Sequence, residues 1–455
     1  MKTYMSFTSL LVSAAAALFV AAQVGTASST IDAIDPGVRP RPGAGNPIAG
    51  LSAQQLQFFL AGQADFAASE SVADGLGPTM NLDSCGGCHS QPSIGGTSPT
   101  VNPQVAFASL NGGLDRLPSF LSANGPVREA RFIANPDGTP DGGVHALFTI
   151  NGRLGAAGCT ISQPDFATEV ANRNVIFRIP TPVFGAGLIE SIPDAAILSH
   201  VSGAPGKAGL GIRGRANFSL SGRTVSGQSN DNGNDGTVAR FGWKAQNKSL
   251  LLFAGEAYNV EMGITNELFP TERDERAACQ MAAVPNDITN VDAVTTVEAL
   301  SAIERFAHFM RFLAAPVPSH DTPGGAASIA FGRAIFNHVG CAFCHTPSFT
   351  TRNTAVAALR NQPVNLYSDL LVHDMGVGLA DGVSQGEAGP REFRSAPLWG
   401  LGQRVFFLHD GRTSNLISAI RAHASQGSEA NSVVAGFQEL GEVQKQHLLN
   451  FLRSL

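Results

Sequence analysis

Two copies of Cys-x-x-Cys-His stand in the chain, Cys85-Gly-Gly-Cys-His89 and Cys341-Ala-Phe-Cys-His345. In this spacing the two thiols lie one helical turn apart and can add to the two vinyl groups of a porphyrin, while the adjoining imidazole coordinates the iron. The pattern is that of c-type haem attachment. It predicts two covalent haems, held through Cys85, Cys88, Cys341 and Cys344, with His89 and His345 as axial ligands. A zinc site of four thiolates would use the cysteines but leave the histidine after each pair unexplained.

Such a haem has one further axial position, and its occupant decides whether the iron carries electrons or reacts with substrate. His423, in Ala419-Ile-Arg-Ala-His423, follows Leu416 and Ile420 at helical spacing and so projects from an apolar face. An imidazole there needs a partner; iron is one, a backbone carbonyl another. A weak internal repeat supplies a second candidate. Pro182-Val-Phe-Gly-Ala-Gly187 matches Pro397-Leu-Trp-Gly-Leu-Gly402, and each is followed by a short helical stretch, the first ending at His200 and the second at His423. His200 is therefore a candidate ligand on the repeat alone. Met375 and Met262, each beside a glycine, read more simply as packing. His409 and Arg412 flank an Asp-Gly turn and suit propionate orientation or an interface.

The elements that must position these groups are mostly helical. Ser52 is a plausible N-cap for a helix with Leu56, Phe59, Leu60 and Phe66 on one side. A long helix is expected from Asp292 or Thr296 to Ala314, ended by Pro316 and Pro318, and a last one over Val443 to Leu455. Between them, short runs such as Ala146 to Ile150 and Val175 to Ile179 alternate with Gly, Asn and Asp clusters and read as short strands and long loops. The fold class is accordingly mainly α: two cytochrome c-like haem domains with a loop-rich middle region containing short β-strands. The boundaries are a signal peptide over 1–27, a linker over 28–50, a first haem segment over 51–110, a middle region over 111–291 and a second haem domain over 292–455. Asn230-Asp-Asn-Gly-Asn-Asp-Gly236 is rich in oxygen ligands, but without a bidentate Glu at the right offset a solvated turn competes with a calcium loop.

A formal charge of −6 over 455 residues gives no basic surface for nucleic acid and no strong attraction to membranes. A local patch for a redox partner is compatible with it. Met1 to Ala27 carries one lysine, an apolar run and small residues suited to a signal peptidase, which predicts export to the periplasm or beyond. An uncleaved anchor is the alternative; no other stretch is long enough to span a bilayer. Four of the six cysteines belong to the haem motifs, leaving Cys159 and Cys279. In an oxidising compartment a structural disulfide between them is expected; free buried thiols or a redox-active pair are the other readings.

The chain also resembles the di-haem oxidoreductase family, with peroxidase as the activity that the resemblance implies. The stretches that carry it include Gly75-Leu-Gly-Pro78, both haem motifs, Gly187-Leu-Ile-Glu-Ser-Ile-Pro193, Arg240-Phe-Gly-Trp-Lys-Ala245, Phe393-Arg-Ser-Ala-Pro-Leu-Trp-Gly400 and Leu408-His-Asp-Gly-Arg412. More distantly, the C-terminal part is similar to bacterial di-haem cytochrome c peroxidases and to the related enzyme that matures methylamine dehydrogenase. That likeness puts His423 at the ligand position of the second haem. Those peroxidases carry a Trp-Asp-Gly-Arg segment in the first half, where this chain reads Leu188-Ile-Glu-Ser-Ile-Pro193.

What the resemblance implies is a second haem feeding electrons to a first haem that binds hydrogen peroxide and needs an acid–base group. Glu190 is the expected carboxylate by position, with a structural salt bridge as its other reading. Trp243 and Trp399 are candidates to assist electron transfer, or are core residues. The electron source would be a small redox protein or a quinol-linked donor. The alternative is an electron carrier with both haems six-coordinate.

Overall fold

The computed structural model describes residues 32–455, except 41–42, 111–112, 203–205, 220–223, 226–227, 230–236, 273, 275 and 319. The expected signal peptide and calcium loop lie outside the described residues. Helix α1, Ala53–Ala67, starts where Ser52 predicts: its hydroxyl accepts from the Gln55 amide while the Gln55 side chain accepts from the Ser52 amide. Only part of its expected apolar side is inside. Phe59 and Phe66 are buried, whereas Leu56 and Leu60 are exposed, because Gly62 sets the line of contact with the next helix it meets. A Cβ at Gly62 would lie 2.1 Å from the Arg305 carbonyl oxygen.

The middle region holds a three-stranded antiparallel sheet with β1 (Glu129–Phe132) between β2 (Val144–His145) and β3 (Val175–Arg178). Helix α2, Leu250–Met262, is capped by Ser249 and is apolar on most sides, as a helix buried on several faces must be. The expected long helix over 292–314 is two pieces, Thr296–Ala299 and α3, Ala302–Phe312. Thr295 with Glu298 and Ser301 with Glu304 each form a capping box, so the second cap ends the first helix through extended backbone at Leu300. Helix α3 packs on α1, and its Phe306 and Phe309 join the larger core around the first Cys-x-x-Cys-His motif.

A second core surrounds the other motif. It joins helix α4 (Gly325–Val339), helix α5 (Leu416–Ala422) and helix α6 (Glu442–Arg453) through Phe336, Leu416, Ala419, Leu448 and Phe451. Gly332 lets α4 and α6 touch at backbone distance, since a Cβ there would sit 2.0 Å from the His447 oxygen. Both cores belong to one unit spanning Ala33–Leu455. No helix among the described residues is long and apolar enough to cross a membrane.

The start of the expected linker is a strap across the second core. Ala33 N–H donates to Glu442 and Arg39 N–H to the Gly402 oxygen. Asp35 takes both Nε and Nη2 of Arg453 at 2.7 Å, and its second oxygen accepts from Leu416 N–H at 3.0 Å, at the start of α5. The side chains of this pair are 8% and 2% exposed, so removing one partner strands a buried charge. Asp35→Ala should therefore destabilise the fold by about 3–5 kcal/mol, read as a lower midpoint in denaturant. Cys159 and Cys279 form a disulfide that closes 120 residues of chain. Replacing both with serine should lower stability by about 2–4 kcal/mol, a loss that reduction of the native protein should reproduce.

Candidate functional site

Each Cys-x-x-Cys-His motif lies on the wall of its own cavity. At the first, Cys85–Cys88 make one helical turn capped by the Ser84 hydroxyl, and His89 N–H closes on the Cys85 oxygen. The His89 Nδ1–H donates to the Gly96 carbonyl at 2.9 Å, so Nε2 is the nitrogen that could coordinate an iron. Gly96 is required by that return of the chain: a Cβ would stand 2.0 Å from the Gln91 oxygen. At the second motif, His345 Nδ1–H donates to the Tyr367 carbonyl at 3.1 Å. Burial brings both imidazoles down to about 4, so they are neutral, the form that binds iron. Cys85, Cys88, Cys341 and Cys344 are unbridged and line these cavities.

The two cavities differ in the side chains that line them besides the motif. The second carries three further histidines, His373, His409 and His423. His423 Nδ1–H donates to the Ala419 carbonyl at 2.7 Å, one turn back on α5, so its Nε2 is free to coordinate. Burial lowers its pKa, and its proximity lowers that of His345. His373 is different. Asp369 lies 3.1 Å from its Nε2 and Glu429 2.9 Å from its Nδ1, with the Cys344 sulfur 3.6 Å from Nδ1; against burial, Cys344 and then Asp369 raise its pKa. His409 is stacked on Phe393 at 4.3 Å.

The first cavity carries no histidine but His89 among the described residues. Its polar wall is made of Glu129 and Arg131 from β1, Arg178 from β3, and Glu256 and Glu261 from α2. Arg131 Nε donates to Glu129 at 2.7 Å. Met262 also lines this cavity, with its sulfur 3.9 Å from the Cys85 thiol.

Both cavities fit a porphyrin. Arg394 and Arg404 line the second, each donating to a backbone carbonyl, and no salt bridge to a carboxylate is found for either among the described residues. Burial lowers both to about 10, and Arg404 repels Arg394 further. Two guanidinium groups held together without an anion match the paired carboxylates of a porphyrin. In the first cavity, Arg178 Nε and Gln246 Oε1 have no hydrogen-bond partner among the described residues. No cluster of three or more His, Cys, Asp or Glu side chains among the described residues could hold a metal ion unaided. Trp243 lies on the walls of both cavities, its indole N–H donating to the Ile179 carbonyl at 2.8 Å.

The model of the family described as di-haem oxidoreductase, putative peroxidase, matches residues 132–455. The chain belongs to that family. The match takes in Cys341–His345 and all of the second cavity's histidines, while Cys85–His89 and Glu129 precede it. The di-haem oxidoreductase chain has no match among curated proteins. Among solved structures it is similar to a MauG-like protein associated with microbial copper homeostasis, at 16% identity and TM-score 0.27 over 61% of this chain and 89% of that one. Kuenenia stuttgartiensis hydrazine synthase is similar at 17% identity and TM-score 0.22, over 35% of this chain and 56% of that chain. At these scores neither likeness bears on the function.

Two expected site residues of this di-haem protein lie elsewhere. Glu190 is on neither cavity wall: its carboxylate takes Arg311 Nε at 2.8 Å and Leu250 N–H at 2.9 Å, so it joins α2 and α3. The salt-bridge reading describes it. His200 is half-buried with its ring edge-on to Phe349 at 5.0 Å, away from the first cavity. The repeat places His200, like His423, after a Pro-x-x-Gly-x-Gly turn, but the helix Asp194–Ser202 brings its ring to Phe349 of the strand that follows the second motif. Glu129 and Arg131 have a faint sequence signal. They are charges at i and i+2 around the buried Ala130, and so share one face of a short strand.

Proposed function

We propose that the protein is an exported c-type di-haem peroxidase in which the first haem reacts with peroxide and the second supplies electrons. The observation that carries this is the asymmetry of the two cavities. His345 and His423 present two neutral imidazoles to one cavity, whereas His89 faces carboxylates and guanidinium groups in the other. Two strong nitrogen ligands close an iron to substrate, and a polar open face favours activation of bound oxygen.

Cys85 and Cys88 would hold the haem through thioethers, and the haem would supply the redox chemistry of O–O cleavage. The chain supplies the rest. Glu129, beside Arg131, would accept a proton from one oxygen of the peroxide and return it to the other, which would leave as water. Arg131 holds the carboxylate in place through Nε and through Nη1 on the Gly142 carbonyl. Trp243, on the walls of both cavities, is the aromatic bridge for electrons. Arg394 and Arg404 would hold the propionates of the second haem, and a small redox protein or quinol-linked donor would reload it. The complete reaction is hydrogen peroxide plus two electrons and two protons giving two waters.

Fully reduced protein mixed anaerobically with one equivalent of hydrogen peroxide should be oxidised at both haems, two electrons per peroxide. A protein that keeps its electrons under those conditions is a carrier, closed at the first haem by a further ligand.

A further inference from the structure

Glu129 is not alone at the first cavity. Glu261, near the end of α2, reaches the same wall, and the two carboxyl groups come close enough there to share a hydrogen bond. A hydrogen bond between two carboxyl groups needs a proton on one of them, because two carboxylates have only acceptors. The surroundings decide which. Arg131 donates to Glu129, so the negative charge belongs there, while Glu261 accepts from Asn81 Nδ2–H at 2.6 Å and has no cation of its own among the described salt bridges. Asn81 is fixed in turn: its side-chain oxygen accepts from Leu147 N–H at 3.0 Å, and its backbone N–H donates to the Glu261 carbonyl at 2.7 Å. Burial and the neighbouring Glu129 charge both raise the Glu261 pKa, in the same direction as the hydrogen-bond geometry. The two groups titrate as a pair.

We propose that Glu261 and Glu129 form one proton-sharing unit on the open face of the first haem, with Glu261 as the group that reprotonates Glu129. The step balances within the pair. The O–H bond of Glu261 breaks, an O–H bond forms on Glu129, and the negative charge moves from one carboxyl group to the other while Arg131 stays beside them. The unit thus holds one of the two protons that reduction of a peroxide consumes, and solvent returns it. Glu261 acts through Glu129 and is a positioning and relay residue. This proposal rests on the reading of the first haem as the reactive one.

The test is infrared difference spectroscopy of the oxidised holoprotein at neutral pH, in water and in deuterated water. The wild type should show the carbonyl stretch of a protonated carboxylic acid, shifted by deuteration, and Glu261→Gln should lack it. Glutamine keeps the hydrogen bond to Glu129 but has no acidic proton, so peroxide reactivity should fall about 100-fold while both haems and their absorption are retained. A purely structural role would leave that rate unchanged. In Glu129→Gln the neighbouring charge that raises Glu261 is gone while Arg131 remains, and the band should vanish there too, which keeps the proposal testable if Glu261→Gln does not fold. A wild type without the band, or a band that survives either substitution, overturns the shared proton. A wild type with the band that ignores peroxide overturns the assignment of the reactive haem and supports the shared proton.

Discussion

Replacing Glu129 with glutamine should slow the reaction of the oxidised protein with hydrogen peroxide by about 10²–10⁴-fold, the range a positioned acid–base group contributes. The substitution is nearly isosteric, and the glutamine oxygen can still accept from Arg131, so the loss reports the missing base more than a collapsed wall. Two features make Glu129 the group to remove. It lies on the first cavity with Arg131 at 2.7 Å, and the guanidinium, together with the hydrogen bond from Glu261, outweighs burial and keeps its pKa low. Glu190→Gln is the control. That carboxylate pairs with Arg311 at a partly exposed site, where an ion pair contributes about 0–1 kcal/mol, and the peroxide rate should stay within twofold of wild type. Stopped-flow absorbance at the haem bands measures both variants.

Replacing His423 with alanine should convert one low-spin haem to high spin and leave the other centre as it was. The imidazole is held by a single tether, Nδ1–H to the Ala419 carbonyl at 2.7 Å, so truncation removes the ligand with little other loss. The space it leaves is lined by Leu416 and Ala419 on the same helix, and added imidazole should enter and restore the low-spin spectrum. His373 cannot substitute. Both of its ring nitrogens are engaged, Nε2 with Asp369 at 3.1 Å and Nδ1 with Glu429 at 2.9 Å, so it has no free nitrogen to offer an iron. If electrons reach the first haem through the second, His423→Ala should also slow oxidation of the fully reduced protein by peroxide.

The sequence announces what depends on local spacing. Cys-x-x-Cys-His is readable at both sites because attachment and ligation sit within five consecutive residues. The caps at Ser52 and the apolar side of the last helix are equally local, and His423 falls on the second cavity because its helix keeps one apolar face. The polar wall of the first cavity left only the faint i, i+2 signal of Glu129 and Arg131. Glu129 and Glu261 come from β1 and α2 and meet only after the middle region folds over the first motif. His200, expected from the repeat, and Glu190, expected by position in the resemblance, both lie off the first cavity's wall, because neither a repeat nor a matched position says which way a short helix runs once longer insertions surround it. The broken helix at Leu300 was misread because an apolar period continues across a second capping box, and the cap prevailed.

The most direct measurement is an electron paramagnetic resonance spectrum of the oxidised protein, before and after one equivalent of hydrogen peroxide. Two unlike haem environments predict a high-spin signal and a low-spin signal in equal amounts, with peroxide consuming the high-spin one. Two low-spin signals indifferent to peroxide would contradict the account.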